Sequence, residues 1–137
     1  MTVAAWFEAW DDPEVDACAV PVDGGYSRTA WRPVLGATTW QVWGTLASRL
    51  RDERRYHGEL ADLAPPQAPG AAVVSRALSR LEAYDLAEER ELGVWLVRHS
   101  CPPLWDRLLA RAPSPVHAAH HVTFLPSRWR SRSAAPA

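Results

Sequence analysis

Apolar side chains recur along this chain at two spacings. From Trp40 they fall at Trp40, Trp43, Ala47 and Leu50, with Leu46 alongside, while Arg49, Arg51, Asp52 and Glu53 lie opposite. That is the period of an amphipathic helix of about four turns, with Thr38 or Thr39 as its N-cap. A second row, Val74, Leu78 and Leu81 with Ala77 and Tyr84 beside it, predicts a helix from about Ala71 to Tyr84. Asp85 is placed to stop it, because aspartate tolerates the left-handed backbone of a cap. Between the two helices, His57-Gly58 interrupts the pattern, Glu59 to Ala64 reads as a short helix with Leu60 and Leu63 inward, and Pro65 to Gly70 reads as a loop. Beyond Asp85 the spacing falls to two. Leu86 to Arg90 and Gly93 to His99 predict a hairpin, with Val94 and Leu96 alternating against Trp95 and Val97.

The flanks are less regular. The first ten residues, with Trp6, Phe7 and Trp10, read as a short amphipathic helix that ends at Asp11-Asp12-Pro13. Tyr26 to Trp31 reads as a short strand and Arg32 to Leu35 as one helical turn. After Ser100-Cys101-Pro102-Pro103, a helix is expected over Leu104 to Ala112, striped by Leu104, Trp105, Leu108 and Leu109. Val122 to Leu125 reads as a strand and Ser131 to Ala137 as a disordered end. The expected fold class is mainly α with a small antiparallel β-hairpin (α+β). Residues 1–23 would be an acidic arm, 24–112 the folded domain with its flanking helix, and 113–137 a basic tail.

The order helix, short helix, turn, helix, hairpin resembles the winged helix-turn-helix superfamily, MarR-like regulators in particular. The matching text is GELADLA, then VVSRALSRLEAYDLAEER, then GVWLVRH. The upstream YSRTAWRPVLGATTWQVWGTLASRL is more loosely similar to the lead-in of plasmid and phage replication initiators. Two features depart from the pattern. Asp85 stands where glycine is usual after the recognition helix, and the turn between the helices is long and holds three prolines. The resemblance implies a recognition helix in the major groove. With Val74, Leu78 and Leu81 buried, the face left for DNA is Ser75, Arg76, Ser79 and Arg80. Arg76 has the reach for guanine and Arg80 for a phosphate, while Arg90 on the wing is placed for a minor groove or the backbone.

Charge adds a gradient. Residues 1–23 carry six carboxylates and no arginine, residues 24–106 balance ten of each, and residues 107–137 carry five arginines and no acid. Arg128, Arg130 and Arg132, with Trp129 among them, therefore join the expected DNA contacts as a phosphate-following tail. Every basic residue is arginine, which suits bidentate contacts but also follows from a GC-rich genome. Cys18 and Cys101 fit no CxxC pattern, and no disulfide is expected. His117, His120 and His121 form a metal-like cluster without the spacing of a known site, and no metal or cofactor is expected. No Walker A, GxSxG or HExxH motif occurs, and no enzymatic activity is expected.

No apolar run approaches the ~20 residues of a membrane span, and the first ten residues lack the features of a signal peptide. A cytoplasmic, nucleoid-associated protein is expected. It would bind specific double-stranded DNA, most simply as a transcriptional regulator. Plasmid or phage replication control is the alternative, and a winged-helix adaptor or inhibitor that binds protein instead of DNA is a third reading. The helix over Leu104 to Ala112 is placed either to pair two copies or to close the core of one.

Overall fold

Residues 4–7 alternate between exposed and buried positions, and residues 4–9 form a strand rather than a helix. The computed structural model, which describes residues 3–124, has this strand as β1 (Ala4–Ala9) with Ala5 and Phe7 buried. The helical reading came from Trp6, Phe7 and Trp10, which also lie three and four residues apart. The period of two prevails because strands stand ready on both sides of β1. It runs antiparallel to β2 (Arg55–Glu59) and parallel to β4 (Val94–Val97). With β3 (Ala87–Glu91) antiparallel to β4, the sheet order is β2-β1-β4-β3. The chain is therefore a mixed α and β protein with a four-stranded sheet. The expected two-stranded hairpin forms only one edge of it.

The chain divides into two compact units, residues 1–11 with 35–99 and residues 12–34 with 100–137. In the first, α3 (Ala37–Glu53) buries Val42, Trp43, Leu46, Ala47 and Leu50, and α4 (Ala71–Ala83) buries Val74, Ala77, Leu78 and Leu81. These rows meet each other and the inner face of the sheet, where Ala5, Phe7, Trp95, Val97 and Ala87 are buried. Each fully buried large apolar side chain contributes roughly 1.5–3 kcal/mol. Trp43 also donates its indole N–H to the Arg98 carbonyl at 2.9 Å. A 3₁₀ turn over Leu60–Leu63 buries both leucines and packs against α4.

Backbone conformation fixes the ends of these elements. Asp85 takes φ 60° after α4, as its sequence position suggests, and the Leu86 N–H reaches back to the Leu81 carbonyl at 2.9 Å. Arg54 does the same for α3 at φ 63°. α3 begins at Ala37 after Gly36 at φ 87°, so the expected threonine cap is not used. His57-Gly58 lies within β2 rather than interrupting the chain. Tyr56 leans over Gly58, whose missing Cβ leaves room for the phenol.

The second unit opens with α1 (Pro13–Asp16), capped by the Asp12 carboxylate. Its next helix, α2 (Gly25–Leu35), includes Tyr26 to Trp31. The strand expected there is replaced because Tyr26, Ala30, Trp31 and Leu35 recur at helical spacing, and all four are buried. Val20 and Cys101 exchange backbone hydrogen bonds, and the Trp31 indole donates to the Pro102 carbonyl at 2.9 Å. The helix expected over Leu104 to Ala112 shrinks to α5 (Asp106–Leu109), because Leu104 and Trp105 are buried in the extended stretch before it. α6 (Ser114–Phe124) is helical where Val122 to Leu125 was expected as a strand. Among the described residues, no helix is long and apolar enough to cross a membrane.

Candidate nucleic-acid interface

α4 presents the face that its periodicity requires. Val74, Ala77, Leu78 and Leu81 turn inward, so Ala72, Ser75, Arg76, Ser79 and Arg80 fall on the exposed side. Two serines and two arginines thus share one face of one helix, and no carboxylate precedes Glu82. That carboxylate is turned toward the hairpin, where it accepts the Glu89 N–H at 2.9 Å. Small residues on this face permit close approach, and guanidinium groups one turn apart match the donors that base edges and phosphates require.

The hairpin has a different character. Glu88, Glu89, Arg90 and Glu91 are all exposed on β3, and Leu92 at the tip is 96 % exposed. Arg90 does not project alone from this edge. Its Nη1 donates to Glu8 Oε2 of β1 at 3.1 Å, and the other oxygen of Glu8 meets Arg55 Nε at 3.5 Å. Arg55 in turn lies over the Trp6 ring, 4.3 Å from its centroid, and Trp6 stacks at a tilt on His57 at 4.6 Å. The sheet's outer face therefore carries a chain Arg90–Glu8–Arg55–Trp6–His57 that sequence reasoning missed. Its signal was the alternation of Trp6 and Glu8 against Ala5 and Phe7, hidden by the helical reading of that segment.

Asp11 follows the same pattern as Glu8. It bonds the Arg54 guanidinium, and that bond holds its carboxyl below the ordinary aspartate value; burial opposes the shift, and the charges of Arg54 and His99 add to it. Two acids of the expected N-terminal arm are thus spent on arginines of the same unit. That unit holds eight arginines against eleven carboxylates. Arg128, Arg130 and Arg132 lie outside the described residues.

The histidine cluster sits on α6. His120 Nδ1 lies 3.0 Å from the Tyr26 hydroxyl, which also accepts the Leu104 N–H at 2.7 Å, and Phe124 meets Tyr26 edge-on at 4.8 Å. Burial lowers the His120 pKa, with Asp106 opposing and His117 and His121 adding to the shift. His120 thus belongs to a packed aromatic cluster. Cys101 is fully buried, and burial pushes its thiol well above the usual range, partly offset by a hydrogen bond with Ser27. Comparison with known proteins gives no relative: no protein-family model, curated protein or solved structure matches the chain.

Proposed function

We propose that the unit formed by residues 3–11 and 35–99 is a winged helix-turn-helix module that binds double-stranded DNA through α4. The order α3, β2, 3₁₀ turn, α4, β3, β4 supports the reading, with β1 as an added strand between β2 and β4. The observation that carries it is the face of Ser75, Arg76, Ser79 and Arg80, exposed together on a helix whose other face is buried. Arg76 is assigned to a base edge and Arg80 to a phosphate. Arg90 is given a lesser part than its wing position implies, because Glu8 neutralises it and three glutamates flank it. Control of transcription is the first assignment and control of replication the alternative, both at the nucleoid. Pairing of two copies through Leu104 to Ala112 loses support, since Leu104 and Trp105 are buried in a single chain.

A second reading, a winged-helix adaptor that binds protein, draws on the acidic β3 edge and the excess of carboxylates over arginines in the unit. Fluorescence anisotropy against a randomised duplex pool, repeated across salt concentrations, separates the two. The DNA reading expects binding with a steep salt dependence and selection of a preferred sequence. Absence of binding to every duplex at low salt, with Arg76→Ala and Arg80→Ala indistinguishable from the parent, sinks it and leaves the adaptor.

A further inference from the structure

The insertion of β1 into the sheet makes β2 an edge strand. Among the described residues, β2 pairs with β1 alone. The alternation of antiparallel hydrogen bonding then shows which backbone groups remain at the edge. Leu60 N–H bonds the Val3 carbonyl at 2.7 Å and Ala9 N–H bonds the Arg54 carbonyl at 2.9 Å, so the even-numbered positions 54, 56, 58 and 60 face β1. The N–H and C=O of Arg55, His57 and Glu59 therefore point away from the sheet.

We propose that β2 is a self-complementary edge through which two copies of this chain join, antiparallel, into one continuous sheet. Only registers that set odd positions opposite odd positions use the outward groups. The register centred on His57 uses all of them: Arg55 faces the partner's Glu59, His57 faces the partner's His57, and Glu59 faces the partner's Arg55. Both ends of the seam then carry opposite charges directly across from each other, the arrangement that stabilises cross-strand pairs. Tyr56 faces the partner's Gly58, over which the partner's own Tyr56 already leans, so the two phenols meet across the seam. On the outer face the Trp6–His57 stack continues through the two-fold axis to its copy. That continuation gives a role to Trp6, which is 40 % exposed on a single chain. The seam is short, five residues from each copy, so the association is weak and concentration-dependent. It does not depend on DNA binding, and its test uses none.

Sedimentation velocity of the full chain, from about 10 µM to about 1 mM, is expected to show a monomer–dimer equilibrium of the weak class. Glu59→Arg places two arginines opposite each other at each end and should weaken self-association about tenfold or more. Arg55→Glu should do the same with glutamates. Mixing the two single variants restores opposite charges at both ends, so the mixture should dimerise where neither variant does alone. His57→Pro removes the central outward N–H, a change that an edge strand tolerates, and should abolish dimerisation while circular dichroism remains native. A parent chain that stays monomeric throughout overturns the proposal. So does a dimer indifferent to Glu59→Arg and His57→Pro, or a mixture that fails to associate although both single variants are folded.

Discussion

On the sheet side of the first unit, Arg54, Arg55 and Arg90 each meet a carboxylate from the N-terminal segment, Asp11 for the first and Glu8 for the other two. On the helical side, Arg76 and Arg80 are exposed on one face of α4 with Ser75 and Ser79, and the helix itself holds no carboxylate before Glu82. Strands β1, β2 and β3 carry five carboxylates and two arginines, whereas α4 carries one carboxylate and two arginines. Topology adds to this difference in composition. β1 delivers acids to the sheet side, whereas the helical period of α4 sends its acid to the hairpin and keeps its cations together. An arginine's availability to a phosphate is thus set by topology as much as by composition.

The largest effect should come from removing the seat of α4. Val74, Leu78 and Leu81 are fully buried, and Leu81→Ala should cost about 2–5 kcal/mol of stability, the usual range for a leucine truncated in a packed core. Urea denaturation measures it. A loss under about 1 kcal/mol would mean that the α4 face is not held rigidly, and the contrast between the two sides would lose its basis.

Next in size is the contrast itself. Arg76→Ala and Arg80→Ala should each weaken duplex binding by about 1–3 kcal/mol, roughly 5- to 150-fold, the first with relaxed sequence preference and the second uniformly across sequences. Arg90→Ala should change affinity by no more than a few fold, because Glu8 already occupies its guanidinium. Equal losses at Arg90 and Arg76 would show that pairing with Glu8 does not withdraw an arginine from DNA. A sharper version leaves the arginines in place and changes the acid. Glu8→Gln frees Arg90 and Arg55 from their shared partner and should raise affinity about two- to fivefold at low salt, with a salt dependence steeper by about one counterion. Unchanged affinity and slope would assign the indifference of the sheet side to its three glutamates on β3 instead.

Most of the first unit was legible because its signals agree. The α3 and α4 rows, the Asp85 stop and the β3–β4 alternation each carry one period over enough residues to exclude the other, and the exposed face of α4 follows directly from its buried one. β1 was hidden for a physical reason: its six residues are too few to separate spacings of two and four, and its partners lie 47 to 55 and 88 residues later in the chain. The pairing of Glu8 with Arg90 inherits that distance. In the second unit the misreadings share another cause. Leu104 and Trp105 look like the stripe of a helix, yet they are buried in extended chain, anchored by the Leu104 N–H on the Tyr26 hydroxyl.

The smallest effect tests whether the second acid of the N-terminal segment behaves as the first. The Arg54 guanidinium keeps Asp11 below its ordinary value of 3.8. A carboxyl whose pKa is depressed by folding lends its stabilisation in full above the unfolded value and loses it as pH falls through the folded one. Asp11→Asn should therefore lower Tm by a constant amount from about pH 7 to pH 5, and the difference should close below about pH 4, towards the folded value. Because the Asp11 side chain is 65 % exposed, water and salt screen the pair, and the plateau should be about 2 °C or less and smaller again in high salt. Thermal melts of both chains across pH measure it. A difference that survives at pH 2 would mean that Asp11 acts through something other than its charge. The sheet side would then owe the charge pairing of its arginines to Glu8 alone, and Arg54 would become a further candidate for the proposed DNA contact.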